Sequence, residues 1–306
     1  MTVKHEDPND FETLTIKAMN SQFYIAVTTC GFENWQEVIV HWIKHVEKEW
    51  SRFHLDTELQ KINRLLTGQK LCISPPLFDC LQKAEEYRTI TEGRFSPYLL
   101  SQMEYHGYDH SFPFENCPAK AGLFPQSFQK KTAPFHFEGQ FLAVERCDSG
   151  NIDLGGIGKG YTVQAAAQWL KSSGAKAGIV DGGGDIAVWS DGEKVWHIGI
   201  AHPYDEERDI AQLYIKNGGI ATSNIIYRSW RQGETIKHHL LNGQTGLPVE
   251  TDIIQATVIT GNCLDAEIMA KLCFMEQDQA LSQVLRTINP VYSSVLVSKS
   301  GKITLI

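Results

Sequence analysis

The stretch Asp153–Trp189, DLGGIGKGYTVQAAAQWLKSSGAKAGIVDGGGDIAVW, decides how the rest of the chain reads. It opens on a glycine-rich turn, enters a helix near Lys159 that stops at Gly174, and continues as a buried strand through Ile179 and Val180. A second glycine turn closed by Asp185 follows. One helix-strand unit therefore brings two glycine turns close together. Glycines let backbone N–H groups approach a ligand and a helix N-terminus adds partial positive charge, so an anion such as a pyrophosphate is the fitting guest. The generic nucleotide motifs do not match. A P-loop needs a glycine five residues before its Gly-Lys pair and Ser or Thr after it, where this chain has Asp153 and Gly160. Gly156, Gly158 and Gly160 also miss the Rossmann spacing. Taken alone, the cluster is most simply a tight turn followed by close helix packing.

Outward from this stretch, 306 residues with 42% hydrophobic and 21% charged side chains describe a globular chain with a sizeable core. The formal charge of −8 argues against a nucleic-acid surface or an anionic membrane as partner. The first ten residues are polar, lack the apolar segment of a signal peptide and read as mobile. With no membrane anchor in view, and seven widely spaced cysteines without a C-x-x-C pair, the expected setting is the cytoplasm with reduced thiols.

In chain order, Gln22–Thr29 alternates as a half-buried strand, and Trp35 to Phe53 carries apolar residues at helical steps. His41 and His45 lie one turn apart on that helix beside Lys44 and Lys48, which makes a solvated polar face a simpler account than a metal site. Pro75-Pro76 precedes a helix over Leu77–Thr91. From His106 to about Gly139 no period holds, so irregular surface structure is expected. Val195–Ala201 and Ile210–Lys216 read as strands joined by a polar connection, Pro203–Asp209. Ile253–Thr260 reads as a strand, Leu264–Met275 and Gln279–Ile288 as helices, and Tyr292–Val297 as part of a terminal hairpin turning at Ser300-Gly301. Pattern alone supports a mixed α/β, or α+β, fold without a linker or repeat.

Several further segments stand in a fixed order: Met19-Asn20-Ser21; Ser51-Arg-Phe-His-Leu-Asp-Thr-Glu-Leu59 with Ile62-Asn63; Phe95-Ser-Pro-Tyr98; Ile198-Gly-Ile-Ala-His-Pro203; Ile220-Ala-Thr-Ser223; and His239-Leu-Leu-Asn-Gly-Gln-Thr-Gly-Leu-Pro248. Together with Asp153–Tyr161 and Asp181–Ile186, they resemble the ordered motifs of the ApbE family, the FAD:protein FMN transferases. The resemblance implies one ApbE-like body over residues 11–306, with T-fold-like halves and the flavin between them. It implies transfer of the FMN part of FAD to a threonine hydroxyl of an acceptor protein, with release of AMP and a divalent metal, magnesium, on the pyrophosphate.

The resemblance also implies site residues. Gly158, through its carbonyl, and Asp265 correspond to metal ligands, and His239 to the proton-handling or phosphate-facing group, with His239 and Asp265 as the catalytic pair. Met19, Lys159, Gly183, Gly184, Asp185, Thr222, Ser223 and His239 correspond to positions that contact FAD. Each has a plainer account: Asp265 as a helix-dipole partner, Asp185 as an Asx turn, Thr222 and Ser223 as strand-end caps, Met19 as core filling. Four departures from the family pattern stand out. Met269 replaces a metal-assisting threonine one helical turn after Asp265, Asn242 and Ser96 replace aspartates, and Asn224-Ile225 replaces Gly-Asp. Two rival readings follow from them: a flavin-binding relative that has lost transfer chemistry, and a pyrophosphatase that splits FAD with water.

Overall fold

The computed structural model describes residues 11–28, 30–118, 120, 122–125, 133–276 and 278–306. Residues 1–10, expected to be mobile, lie outside them. The elements run β1 (Glu12–Ala18), β2 (Ser21–Val27), α1 (Trp35–Glu49), α2 (Glu58–Asn63), β3 (Lys70–Cys72), α3 (Pro75–Ile90), α4 (Leu100–Tyr105), β4 (Asn116–Cys117), β5 (Phe135–Glu138) and β6 (Ala143–Arg146). They continue α5 (Gly158–Ser172), β7 (Ala177–Asp181), β8 (Asp185–Ser190), β9 (Trp196–His202), β10 (Asp205–Ile215), β11 (Gly218–Asn224), β12 (Ser229–Gln232) and β13 (Thr235–His238). The chain closes with β14 (Ile253–Thr260), α6 (Cys263–Leu272), α7 (Asp278–Ile288), β15 (Tyr292–Ser298) and β16 (Ile303–Leu305). This is the mixed α+β content expected. The described residues form two compact units, each built from separated stretches: those within 11–45, 159–224 and 252–306 in one, those within 46–158 and 225–251 in the other.

The first unit is one antiparallel sheet of eight strands in the order β1-β2-β7-β8-β11-β14-β15-β16. Side chains alternate across a strand, and here both faces are buried. Phe23, Ile25, Val27, Val180, Ala187 and Trp189 face helices α1 and α5, which contribute Trp35, Ile39, Ile43, Val163 and Leu170. Ala26, Ile179, Ile186, Val188 and Ile220 face the opposite side, against Trp196, Ile198 and Leu213 of the β9-β10 hairpin. Two-sided burial is why β7 and β8 read as continuous apolar runs. The hairpin corrects one expectation. Its turn is only Pro203-Tyr204, and the polar run Asp205–Asp209 already belongs to β10, carried through register breaks at Asp209. Such breaks let a polar, exposed strand keep its pairing.

The second unit holds helices α2, α3 and α4 and two three-stranded sheets, β13-β12-β4 and β3-β6-β5. Its Trp230, Tyr108, Leu99, Met103 and Leu241 form a small core with Phe112 and Phe114 packed against it. The expectation of irregular structure over His106–Gly139 is therefore corrected in part. Asn116–Cys117 pairs with β12 and Phe135–Glu138 with β6, while residues 119, 121 and 126–132 lie outside the described set. Aromatic side chains bury large areas without needing a regular period, which is why periodicity does not reveal this cluster.

Candidate active site

In the second unit, scattered motifs converge on the residues that lead into α5. Asn63 Nδ2 donates to the Ile152 carbonyl at 3.0 Å and its Oδ1 accepts the Ile152 N–H at 2.7 Å, so one side chain clamps both polar groups of one residue. The Asp153 N–H donates to the Pro97 carbonyl at 2.8 Å. Its carboxylate receives Arg52 Nη1 at 3.0 Å on one oxygen and the Gly155 N–H at 2.9 Å on the other. Arg52 and Asp153 side chains are both nearly buried, and the guanidinium lies 4.3 Å from the centre of the Tyr108 ring, where a paired and stacked charge is tolerated. Residues 51–63, 95–98 and 153–158, far apart in sequence, thus hold one turn. Its Gly158 N–H donates to the Leu154 carbonyl at 2.7 Å.

In the first unit, Lys159 reaches across from the first turn of α5 to form an ion pair with Asp185 at the head of β8. The turn between β7 and β8 is shaped by an anion of its own: Asp181 Oδ1 accepts the N–H groups of Gly183 at 2.7 Å and Gly184 at 3.0 Å. These are the donors expected to meet a ligand phosphate, so in this conformation Asp181 holds them. Gly183 (φ +82°) and Gly184 (φ +104°) sit in the left-handed region, and a Cβ on Gly183 would overlap Ser21 Oγ. Ser21 in turn donates to the Gly182 carbonyl at 3.0 Å. Met19 and Asn20, both at positive φ, make the two-residue turn between β1 and β2, a geometry that favours Gly or Asn. Met19 is half-buried against the core beneath α1 and α5.

Thr222 and Ser223 do not act from one side. Strand alternation puts Ser223 on the face shared by Ala221 and its partner Asp185, whereas Thr222 faces the other way, with its hydroxyl 2.8 Å from Thr257 Oγ1. His239 lies in the second unit just after β13, its Nδ1 3.4 Å from the Arg228 carbonyl. Its neighbour His238 is structural: Nδ1 accepts the Leu240 N–H and Nε2 meets the Val249 carbonyl at 3.1 Å, which fixes a neutral tautomer with the proton on Nε2.

Two departures from the family pattern keep an oxygen where the turn needs one. Asn242 Oδ1 accepts the Gln244 N–H at 2.8 Å and Ser96 Oγ accepts the Tyr98 N–H at 3.2 Å, so an amide or a hydroxyl serves for a carboxylate. Asp265, at the third position of α6, sits in a reciprocal cap: its N–H donates to Asn262 Oδ1, and its Oδ2 accepts Asn262 Nδ2 at 2.6 Å and Asn289 Nδ2 at 2.9 Å. Asp265 is half-buried, whereas Met269, one turn on, is wholly within the core. No group of three or more His, Cys, Asp or Glu side chains suited to a metal ion occurs among the described residues. Asp181, Asn63 and Glu267 are contributors that sequence reasoning missed. An Asp two residues before a glycine is the one local signal for the first.

A sequence profile of the ApbE family matches residues 14–293. An FAD:protein FMN transferase of Klebsiella pneumoniae is 24% identical over 238 residues, 76% of this chain and 72% of that one. One of Chlamydia muridarum is 26% identical over 243 residues, 74% of this chain and 71% of its own. Among solved structures, the ApbE protein of Thermotoga maritima superposes with a TM-score of 0.80 at 22% identity, covering 96% of each chain. The flavin transferase ApbE of Vibrio cholerae gives 0.76 at 19% identity over 98% of this chain and 97% of that one. With motifs, fold and a profile match spanning most of its length in agreement, the chain belongs to the ApbE family.

Proposed function

We propose that this protein is an FAD:protein FMN transferase. The observation that carries the reading is the Lys159–Asp185 pair, set between a helix N-terminus and a triglycine turn in a chain whose relatives bear that name. In the reaction, the hydroxyl oxygen of an acceptor threonine bonds to the phosphorus of the FMN half of FAD. The phosphoanhydride bond breaks, AMP leaves with the electron pair, and the hydroxyl proton passes to a base. Positioning and charge neutralisation dominate such chemistry. Lys159 offers a cation to a phosphate oxygen in exchange for Asp185, and the freed Asp185 accepts from a ribose or flavin group. Ser223 borders the same sheet face, Gly183 and Gly184 leave room for close approach, and His239 takes the proton.

Magnesium is held through one or two carboxylates plus substrate phosphates rather than a full protein cage. A half-buried Asp265 would supply such a carboxylate, with the Gly158 carbonyl as a further ligand, whereas the buried thioether of Met269 would add no hard oxygen. The ion would neutralise pyrophosphate oxygens. All seven cysteines are free thiols, Cys72 and Cys147 exposed, which supports a reducing, cytoplasmic setting. No helix among the described residues is long and apolar enough to cross a membrane.

The test combines protein, FAD, magnesium and an acceptor bearing an Asp-x-x-Thr sequence. The acceptor is expected to gain the mass of FMN with one AMP released per transfer. AMP without acceptor labelling would mean hydrolysis, and FAD binding without AMP would mean a carrier.

A further inference from the structure

The Gly160 N–H, in the first turn of α5, is one of the donors that a helix N-terminus leaves without an intrahelical partner. A side chain from another helix meets it: Gly160 donates to Glu267 Oε2 at 3.0 Å. Glu267 is 2% exposed within α6. Its Oε1 lies 3.2 Å from Lys271 Nζ, and the same ammonium donates to the Glu267 carbonyl at 3.1 Å. A Cβ at position 160 would come within 2.5 Å of Oε2 and 3.1 Å of Glu267 Cβ, so only glycine lets this carboxylate reach the backbone. A carboxylate this deep persists only when paired and hydrogen-bonded, and an ordinary Ser, Thr or Asn cap would have served a helix end at far less cost. What the arrangement adds is location. The residue before Gly160 is Lys159, whose ammonium engages Asp185 at the triglycine turn.

We infer that Glu267, neutralised by Lys271, is a positioning residue for flavin nucleotide binding. By gripping the Gly160 amide it fixes the backbone from which Lys159 reaches the nucleotide phosphates, an inference that rests on the FAD site proposed above. Glu267 itself touches no substrate. Its effect passes through Lys159, and this separates it from a residue that merely stabilises the fold.

The test is equilibrium binding of FAD to the full chain, read by flavin fluorescence, with thermal unfolding of every variant alongside. Four variants are compared with wild type: K159M, E267Q, E267M/K271M and K159M/E267M/K271M. Replacing both charges by apolar groups of similar volume avoids leaving a lone buried ion and is commonly tolerated. K159M and E267M/K271M should each weaken FAD binding about tenfold. The triple variant should be no weaker than K159M alone beyond about twofold, since residues acting through one another do not add. E267Q keeps an oxygen for the Gly160 amide and should bind within about threefold of wild type. A folded E267M/K271M with wild-type affinity, or losses that multiply in the triple variant, would overturn the inference while leaving the FAD site intact. If the apolar pair does not fold, E267Q decides: tenfold weaker binding in that folded variant shows that the charge matters rather than the grip on the amide, and the inference fails. A wild-type protein that binds no FAD overturns the functional reading, and this inference with it.

Discussion

Asp181 is 6% exposed and accepts two amides from the turn that it opens, yet burial still raises its pKa from 3.8 to about 6. An acid whose pKa is higher folded than unfolded holds its proton more tightly when folded, so stability is greatest below the unfolded pKa and falls as pH rises from about 4 to about 6. That rise in pKa corresponds to roughly 3 kcal/mol. Asp181→Asn keeps an oxygen for the Gly183 and Gly184 amides and has no proton to lose. Between pH 4 and pH 7 its stability should therefore gain on that of wild type by roughly 2 kcal/mol, the remainder of the effect lying below pH 4. Denaturant titrations at both pH values measure this, and parallel losses in the two proteins would count against it. Asp265 presents the opposite case, a carboxylate with both structural and proposed catalytic duties. Asp265→Ala orphans the amides of Asn262 and Asn289 and should lower stability by about 1–2 kcal/mol, abolish AMP release under saturating FAD and magnesium, and leave most FAD affinity in place. Full turnover in the folded variant would reduce Asp265 to a helix cap.

At the scale of elements, the turn before α5 depends on one side chain. Ile152 is fully buried, and both its backbone polar groups are satisfied by Asn63. Asn63→Ala would leave a buried N–H and C=O unpaired, and about 2–4 kcal/mol of stability should be lost, with FAD affinity falling as the turn loosens. A loss within about 0.5 kcal/mol, the range of an ordinary surface change, would show that water replaces the clamp. The same contact explains what sequence reading can and cannot reach. The helix ending at Gly174, β7, the Pro75 helix and the terminal hairpin are legible because their signals are local: a period, a cap, a glycine at positive φ (Gly174, +94°). The bond between Asn63 and Ile152 spans 89 positions, and that between Gly160 and Glu267 spans 107, so no period encodes either. Glu267 and Lys271, four apart, look in sequence like a solvated helix pair, and only the fold shows Glu267 buried. β1 escapes notice although Leu14, Ile16 and Ala18 alternate, because its opening is polar. The direction of Thr222 against Ser223 needs the register with Asp185 and Thr257.

For the molecule as a whole, the proposed site demands more of its ligand than a flavin ring. Lys159 offers a cation to phosphate oxygens, and the glycine turn beside it leaves room for close approach, so a dinucleotide with two linked phosphates should engage what a mononucleotide reaches only in part. The chain carries a formal charge of −8, which repels any anion at long range, and specific binding must therefore come from short contacts of this kind rather than from the general field. A ligand that binds only the folded state stabilises it by about 2.7 kcal/mol at one hundred times its Kd. For a chain of this size that is a rise of roughly 4 °C in Tm. Thermal unfolding with matched concentrations of FAD and FMN should show FAD giving clearly the larger rise, and K159M should shrink the FAD increment toward that of FMN. Equal shifts for the two flavins in the wild-type protein would place the recognition on the isoalloxazine ring alone and remove the phosphate role from Lys159.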